Sequence, residues 1–180
     1  MKGSYGILVF ALFIISCSNE QNTLEEMEGY QGPFQEAQNI RTFYSDSAKV
    51  RLMIEAAEFL RYENGNEEYP KGIYIEFYET DGSISSVLSA KQAFYDKKKH
   101  LYRAVNDVVL ENQVERQKLN TEELFWDPNE EQVYTEKFVV IETDDDVIHG
   151  EGLEAKQNFS EWKILNVTGE LELEEETTND

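Results

Sequence analysis

This chain of 180 residues has one cysteine and two histidines, so it lacks the ligands from which most protein metal sites are built. His100 and His149 stand far apart, and neither belongs to a metal-ligand spacing. The sequence contains no P-loop, no G-x-S-x-G nucleophile elbow and no dinucleotide-binding glycine pattern, because Gly150-Glu151-Gly152 is too short for one. We therefore expect no metal ion, no cofactor and no enzymatic activity.

Basic side chains are also scarce. The chain has 16 Lys and Arg against 37 Asp and Glu, a formal net charge of -21, and no basic stripe interleaved with aromatic residues. This balance argues against nucleic acid as a partner and against peripheral docking on an anionic lipid surface. Acidic surfaces of this kind keep β-rich proteins soluble and their sheet edges apart.

The abundance of carboxylates makes acidic pairs uninformative. A carbohydrate-active enzyme would need only two carboxylates about 5 to 9 Å apart, and so many acids produce such pairs by chance. A carbohydrate-active enzyme is therefore the least favoured of the functions considered for this chain. The cluster Asp144-Asp145-Asp146 lacks the spaced oxygen ligands and the turn glycine of a calcium loop, so it is interpreted as a polar turn.

The start of the chain has a strong export signal. Residues 3–16 form an apolar run after the basic Lys2, well short of the ~20 residues of a membrane-spanning helix, which predicts a lipoprotein-type signal peptide over residues 1–16. Cys17 follows Ile14-Ile15-Ser16, an order that resembles a bacterial lipobox with isoleucine at its first two places. Transfer of a diacylglycerol to Cys17 would anchor the protein on a membrane, whereas an unmodified lone thiol would be a liability in an exported protein.

Composition then divides the rest of the chain. Residues 17–39 begin with the lipidated cysteine and are rich in Glu, Gln, Asn and Gly, which predicts a flexible tether. Residues 40–173 carry the extended segments of one domain. The acidic residues 174–180 are expected to form a disordered tail.

Within the domain, apolar residues alternate with polar ones. Residues 49–57 and 72–79 both show this period of two, as do residues 137–142, where Val139 and Ile141 share one face. The pattern predicts strands with one apolar and one polar face.

Turn chemistry separates these strands. Asn64-Gly65 and Asp81-Gly82 supply left-handed positions, and the second predicts a hairpin into residues 83–90. Asp127-Pro128-Asn129 and residues 143–146 are further turns.

Four similar segments recur along the domain. They begin at Ile54, Leu88, Leu119 and Leu153, each continues with a small residue or threonine and an aromatic residue, and each is followed by a second extended run. A unit this short cannot bury its own apolar face, so successive units must stack and share a core. The sequence therefore predicts an elongated all-β fold of stacked antiparallel strand repeats.

Residues 119–155 have the most specific pattern in the chain. Leu119-x-Thr-x-Glu-Leu-x-Trp, Tyr134-Thr135-Glu136-Lys137-x-Val-x-Ile and Gly150-x-Gly152-Leu153-x-Ala155 occur there together. With the earlier AKQAFYD and VVLEN, this combination resembles the LptC family, the periplasmic component of the lipopolysaccharide export machine. The resemblance covers about residues 40–173.

The resemblance implies an open, twisted (OstA-like) β-jellyroll whose interior holds the acyl chains of lipid A. It also implies that the protein takes lipopolysaccharide from an inner-membrane ATP-driven transporter with subunits of the LptF/LptG type and passes it to an LptA-like protein of the same fold. Well-studied relatives carry a transmembrane helix, whereas this chain has a lipobox. We therefore expect a periplasmic protein that is anchored on a membrane through acylated Cys17. The resemblance to the family implies that this membrane is the inner one.

Period-two alternation selects the residues expected to line such a lipid trough, because acyl chains require a continuous apolar face. Filling of a dry core is the other interpretation of the same residues. They are Leu52, Ile54, Ile73, Ile75, Phe77, Leu88, Val108, Leu110, Leu119, Val139, Ile141 and Leu153.

The two ends of an open jellyroll expose unpaired strand backbone, to which a partner can add a strand. We expect the last strand, with Ile164, Leu165, Val167 and Leu171, to meet the LptA-like protein, and the strands after Ile40 to face the transporter. The main alternative is a membrane-anchored β-sandwich lipoprotein that acts as an interaction module and binds no lipid.

Overall fold

The computed structural model describes Tyr30 and residues 32–168. The chain divides into two compact units, Met1–Gln31 and Gly32–Asp180. Tyr30, the described residue of the first unit, is exposed. The fold below is that of the second unit.

Eleven antiparallel strands form one sheet in this unit, and residues 32–168 contain no helix. The all-β prediction is therefore confirmed. The strands are β1 (Gln35–Asp46), β2 (Lys49–Arg61), β3 (Glu67–Tyr69), β4 (Ile73–Tyr78), β5 (Ile84–Ala90), β6 (Gln92–Asp96), β7 (Leu101–Asn112), β8 (Gln117–Asp127), β9 (Gln132–Glu142), β10 (Val147–Lys156) and β11 (Trp162–Val167).

The strands end where the sequence has turn residues. The carboxylate of Asp81 accepts a hydrogen bond from the backbone N–H of Ser83 at 2.9 Å, and Gly82 has a φ of 89°. The carboxylate of Asp127 accepts one from the N–H of Asn129 at 2.9 Å. Both are side-chain closures of a tight turn, so the hairpins β4–β5 and β8–β9 form where the sequence predicts them.

The first strand begins earlier than expected. β1 starts at Gln35, which pairs with Arg61 at the end of β2. Residues 35–39, assigned to the tether from their polar composition, therefore belong to the sheet. The composition of these residues resembles that of a linker because β1 is mostly exposed and needs few apolar side chains. Their extended conformation comes from pairing with β2, not from burial.

The strand order closes part of the sheet on itself. The order is β11-β10-β9-β8-β7-β5-β4-β2-β3-β6, with β6 also pairing with β7 and β1 pairing with β2. The circuit β2-β4-β5-β7-β6-β3 is thus closed, while β8 to β11 continue from it as an open extension. Within residues 32–168, β1 and β11 are the two strands that pair along one edge only.

A line of irregular pairings crosses four neighbouring strands. The register shifts between Val105 and Val108 in β7, between Thr121 and Phe125 in β8, and between Glu151 and Leu153 in β10. In β9 the residues between Thr135 and Phe138 lie on the same line. Bulges bend strands, so four aligned bulges fold the sheet over.

Threonine hydroxyls satisfy backbone groups at this fold line. The Thr121 hydroxyl donates to the carbonyl oxygen of Phe138 at 2.9 Å, and the backbone N–H of Lys137 donates to the Thr135 hydroxyl at 3.0 Å. Both threonines are buried. A buried backbone group left unpaired at the bend would be costly, and these bonds remove that cost.

The bend creates two layers that face each other. Layer 1 contains β4, β5, the part of β2 that pairs with β4, and the parts of β7 to β10 that carry Leu110, Leu119, Ile141 and Ile148. Layer 2 contains β3, β6, the part of β2 that pairs with β3, and the other parts of β7 to β10, which carry Ala104, Leu124, Val133 and Ala155. The rings of Phe77 (layer 1) and Trp126 (layer 2) contact edge to face at 5.2 Å although their strands are not neighbours, which shows that the layers meet. This arrangement is a β-jellyroll, as expected.

Candidate functional site

One row of apolar side chains crosses the inner face of layer 1. Strand register places Ile54 opposite Ile75, Ile75 opposite Leu88, and Leu88 opposite Leu110. The row continues through Leu119, Ile141 and Ile148. Seven neighbouring strands thus present an aliphatic residue at the same level, which makes a continuous apolar face.

The predicted lining residues all lie in or against one core cluster. Eleven of the twelve are buried, and Leu52 is half-buried and packs against the others. Val139 and Ile141, which the alternation in residues 137–142 places on one face, are 0% exposed. The structure therefore brings the predicted residues together, with Leu52 nearest to solvent.

The layers leave an opening where their strands end opposite the fold line. A cavity of about 420 Å³ lies there between the end of β4, with Phe77 and Tyr78, and the β8–β9 turn, with Pro128 and Glu131. Leu52, Phe77 and Trp126 supply its apolar side. We call this opening the mouth.

Aromatic side chains border a second cavity, of about 200 Å³, which shares Leu52, Trp126 and Pro128 with the first and is counted as part of the mouth. Its lining includes Tyr44 from β1, Tyr95 and Tyr102 from the β6–β7 hairpin, and Trp126 from β8. Tyr102 stacks on Trp126 at 4.8 Å and contacts Tyr95 at 4.5 Å between ring centroids. Leu52 and Ile54 complete the lining, so this cavity reaches the apolar row.

Burial raises the pKa of the Tyr102 hydroxyl, and the neighbouring Tyr44 adds to the effect. Burial, followed by the negative charge of Glu67, also raises the pKa of Tyr44. Both hydroxyls are therefore neutral at physiological pH, and they interact with each other across the space between β1 and layer 2.

An ion pair between an enclosed carboxylate and a partly exposed guanidinium joins β2 to β3. Glu67, 7% exposed, accepts hydrogen bonds from Arg61 Nη2 at 2.7 Å, from Arg61 Nε at 3.0 Å and from the Tyr69 hydroxyl at 2.9 Å. All three residues, with Ala37 and Ile40 of β1, line a cavity of about 170 Å³. Burial and the neighbouring charges raise the pKa of Tyr69.

The rim of the mouth is acidic. Asp46, Glu79, Glu130 and Glu131 line it, against Arg51 and Lys156. The polar groups therefore surround the apolar floor formed by Leu52, Phe77 and Trp126. A molecule that binds there would place an apolar part inside and a polar part at the rim.

The β10–β11 loop closes one side of the mouth. The carbonyl oxygens of Gln157 and Asn158 accept hydrogen bonds from Ser86 Oγ at 3.2 Å and Asn112 Nδ2 at 3.0 Å. The side chain of Phe159 is 0% exposed and belongs to the core cluster. In the sequence, Phe159 is the aromatic residue of the fourth repeat, which begins at Leu153, and nothing there predicts its position at the mouth.

The predicted partner strand is β11, and its residues differ in exposure. Ile164 is buried, whereas Leu165 and Val167 are 45% and 61% exposed at the sheet edge. Leu171 and the predicted lipidation site Cys17 lie outside the described residues.

Neither histidine belongs to a cluster of metal-ligating side chains among the described residues. His100 Nδ1 lies 3.3 Å from the Tyr95 hydroxyl, and the His149 ring stacks on Phe138 at 6.0 Å. Among residues 30 and 32–168, no three His, Cys, Asp or Glu side chains come close enough to hold a metal ion. The same residues include no helix that is long and apolar enough to cross a membrane.

Sequence reasoning missed the aromatic residues of the mouth. Tyr44, Tyr95 and Tyr102 lie in strands whose alternation is weak, and Trp126 is the last residue of the motif that begins at Leu119. The signal that could have found Trp126 is its position directly before the Asp127-Pro128 turn, at the end of a strand with an apolar inner face.

Comparison with known proteins supports the assignment that the fold suggests. A search of curated proteins returns no match. The family model described as lipopolysaccharide-assembly, LptC-related, matches residues 7–172, which is nearly the whole chain. The chain therefore belongs to the LptC family, whose members are periplasmic proteins of lipopolysaccharide transport associated with the inner membrane.

Proposed function

We propose that this protein accepts lipopolysaccharide from an inner-membrane ABC transporter, holds the lipid A acyl chains between its two layers and passes the molecule to an LptA-like jellyroll protein. The observation that carries this proposal is the continuous apolar row from Ile54 to Ile148. Burial of an acyl chain is favourable by about 0.8 kcal/mol per CH₂, so a multi-chain lipid needs an unbroken apolar path.

The mouth is the proposed point of entry. Its floor is apolar and its rim is polar, which matches a molecule with acyl chains and a saccharide headgroup. The aromatic faces of Tyr102 and Trp126 suit both acyl chains and sugar rings. The deeper residues, such as Val139 and Ile141, are fully enclosed, so chains reach them only when the layers separate.

The two edge strands are the proposed partner sites. Among the strands of residues 32–168, β11 pairs with β10 alone, and the exposed side chains of Leu165 and Val167 flank its edge. An LptA-like protein extends the sheet there by adding a strand, and LptF/LptG-type transporter subunits do so at β1. A photoreactive residue at Val167 should crosslink to the LptA-like protein, and one at the internal strand β8 should not.

The anchor is a separate part of the proposal. The thiol of Cys17 carries a diacylglycerol that holds the protein on the periplasmic side of the inner membrane. Intact-mass analysis of the membrane fraction should find a mature chain that begins with acylated Cys17. An unmodified chain that begins elsewhere would refute the anchor and leave the transport role untouched.

Depletion of the protein tests its role in transport. Newly made lipopolysaccharide should accumulate in the inner membrane, measured by membrane fractionation after pulse labelling. The wild-type gene should restore export, whereas a gene that lacks the codons for β11 should not. Normal delivery to the outer membrane during depletion would exclude the proposed function.

A further inference from the structure

Residues 157–161 connect β10 to β11 and lie across the mouth; we call this loop the clasp. Its backbone is bonded to layer 1 at two points. Ser86 Oγ donates to the carbonyl oxygen of Gln157 at 3.2 Å, and Asn112 Nδ2 donates to that of Asn158 at 3.0 Å. Ser86 is 0% and Asn112 5% exposed, so both donors are enclosed.

The clasp is bonded to layer 2 as well. The backbone N–H of Gln157 donates to the carbonyl oxygen of Glu131 at 2.9 Å, and the indole of Trp126 donates to Gln157 Oε1 at 2.9 Å. Gln157 therefore links Ser86 in one layer to Trp126 in the other. This single residue thus joins β5 and β8, which are not neighbours in the sheet, at the mouth.

Phe159 fills the space behind these bonds. Its side chain is fully enclosed and stacks on Trp162 at 6.2 Å, and its φ is 54°, in the left-handed region that a bulky residue rarely adopts. Trp162 in turn donates to Gln117 Oε1 at 2.8 Å. The closed clasp therefore holds an enclosed aromatic residue in a strained backbone conformation.

We propose that the clasp is a gate of the lipid interior, which closes the mouth when no lipid is bound and opens by withdrawing Phe159 when acyl chains enter. This inference rests on the function proposed above. An acyl chain that takes the place of Phe159 keeps that space apolar and filled, so lipid compensates for the loss of the aromatic side chain. No other ligand class of the same size, such as a free sugar, would do so.

The bonds that hold the clasp can be weakened without touching the interior row. The double variant Ser86→Ala/Gln157→Ala removes one hydroxyl donor and one amide acceptor at the clasp. Asn120→Ala is the matched control, because Asn120 Nδ2 donates to Glu142 Oε1 at 3.0 Å on the outer surface, away from the mouth. Circular dichroism and urea unfolding verify that all three proteins are folded.

The loading rate of fluorescent lipopolysaccharide onto the purified full chain is the first measurement. The double variant should load at least about fivefold faster than the wild type, since the loss of two hydrogen bonds, each at the low end of its usual net contribution, raises the open population by about that factor. Asn120→Ala should load at the wild-type rate. Equal rates for the double variant and the wild type would overturn the gate.

Hydrogen exchange gives a second, independent measurement. When lipopolysaccharide is bound, the backbone amides of Gln157 and Phe159 should lose protection, while amides of β8 and β9 keep theirs. Unchanged protection of the clasp in the lipid-bound wild type would overturn the gate but not the transport role. Failure of the wild type to bind lipopolysaccharide at all would overturn both.

Discussion

The ring of Tyr102 stacks on the indole of Trp126 with 4.8 Å between centroids and 26° between planes. Trp126 also meets Phe77 of the opposite layer edge to face at 5.2 Å. The indole therefore lies where the two layers meet, and it lines both cavities of the mouth. Any ligand that parts the layers must change its surroundings.

Trp126 should report lipid binding by fluorescence. The sequence has two tryptophans, so Trp162→Phe leaves Trp126 as the only indole. Addition of lipopolysaccharide should shift the emission of Trp126, because acyl chains that part the layers change the surroundings of the enclosed indole. An unchanged spectrum while binding is detected by another method would place the lipid elsewhere.

Gly150 is required for the docking of β11. A Cβ at this position would lie 2.3 Å from Ile164 Cγ2 and 2.6 Å from the carbonyl oxygen of Asn166. Gly150→Ala should therefore destabilise the fold by about 1 to 3 kcal/mol, the usual cost of overpacking, and should loosen β11 in particular. Hydrogen exchange of the β11 amides measures this loss.

Gly82→Ala separates steric clash from backbone strain. A Cβ at Gly82 meets nothing within 4 Å, although the φ of 89° is unfavourable for alanine. This variant should lose stability through its own turn and should leave β11 protected. If the β11 amides lost protection in both variants, the clash with Ile164 would not be the reason why β11 loosens in Gly150→Ala.

The ion pair between Arg61 and the enclosed Glu67 can be tested with Arg61→Met. This change leaves the enclosed Glu67 carboxylate with the Tyr69 hydroxyl and should cost about 2 to 3 kcal/mol in urea unfolding. Arg41→Met is the control, because Arg41 pairs with Glu55 at the surface, where ion pairs contribute about 0 to 1 kcal/mol. Addition of Glu67→Leu to Arg61→Met should recover much of the loss, and a further loss would contradict the stated cause.

Alkaline titration tests the enclosed tyrosines. Burial raises the folded-state pKa of Tyr69 and Tyr102 above the ordinary value of 10.0, so the folded state retains these protons more tightly than the unfolded state. Their contribution to stability is complete below pH 10 and is lost as the pH rises further. Tyrosinate absorbance from these two phenols should appear only together with unfolding.

Tyr102→Phe should reduce the number of late-titrating tyrosines by one. Tyr78 provides an internal comparison, because its hydrogen bond to Glu76, followed by burial, raises its pKa to about 12. It should ionise late as well, but reversibly if the sheet is still folded at that pH. Early ionisation of Tyr102 in the folded protein would show that its site is open to water.

The inner face of the sheet could be predicted because it depends on local periodicity. Ile54, Ile75, Leu88 and Leu110 were selected from alternation in four separate segments, and strand register places them side by side. Turn chemistry at Asp81 and Asp127 fixes where hairpins close, so the neighbours along the chain follow from local signals as well.

The mouth could not be predicted because it depends on the bend. Phe77 and Trp126 come from strands that are not paired, and they meet only because aligned bulges fold the sheet. The bulge at Asn106 and Asp107, with φ of 64° and 48°, uses residues that tolerate this conformation, but the sequence does not show that the neighbouring strands bulge at the same level. The clasp was missed for a related reason, since the aromatic residue of the fourth repeat lies in a turn rather than in a strand.

Photo-crosslinking in living cells tests the central claim, that lipid lies between the layers, most directly. A photoreactive residue at Leu52, which lines the mouth, should capture lipopolysaccharide, whereas one at Ala57, exposed on the same strand, should not. We expect a lipopolysaccharide adduct at Leu52 that disappears when lipopolysaccharide synthesis is blocked. Capture at Ala57 alone, or at neither position while export proceeds, would contradict it.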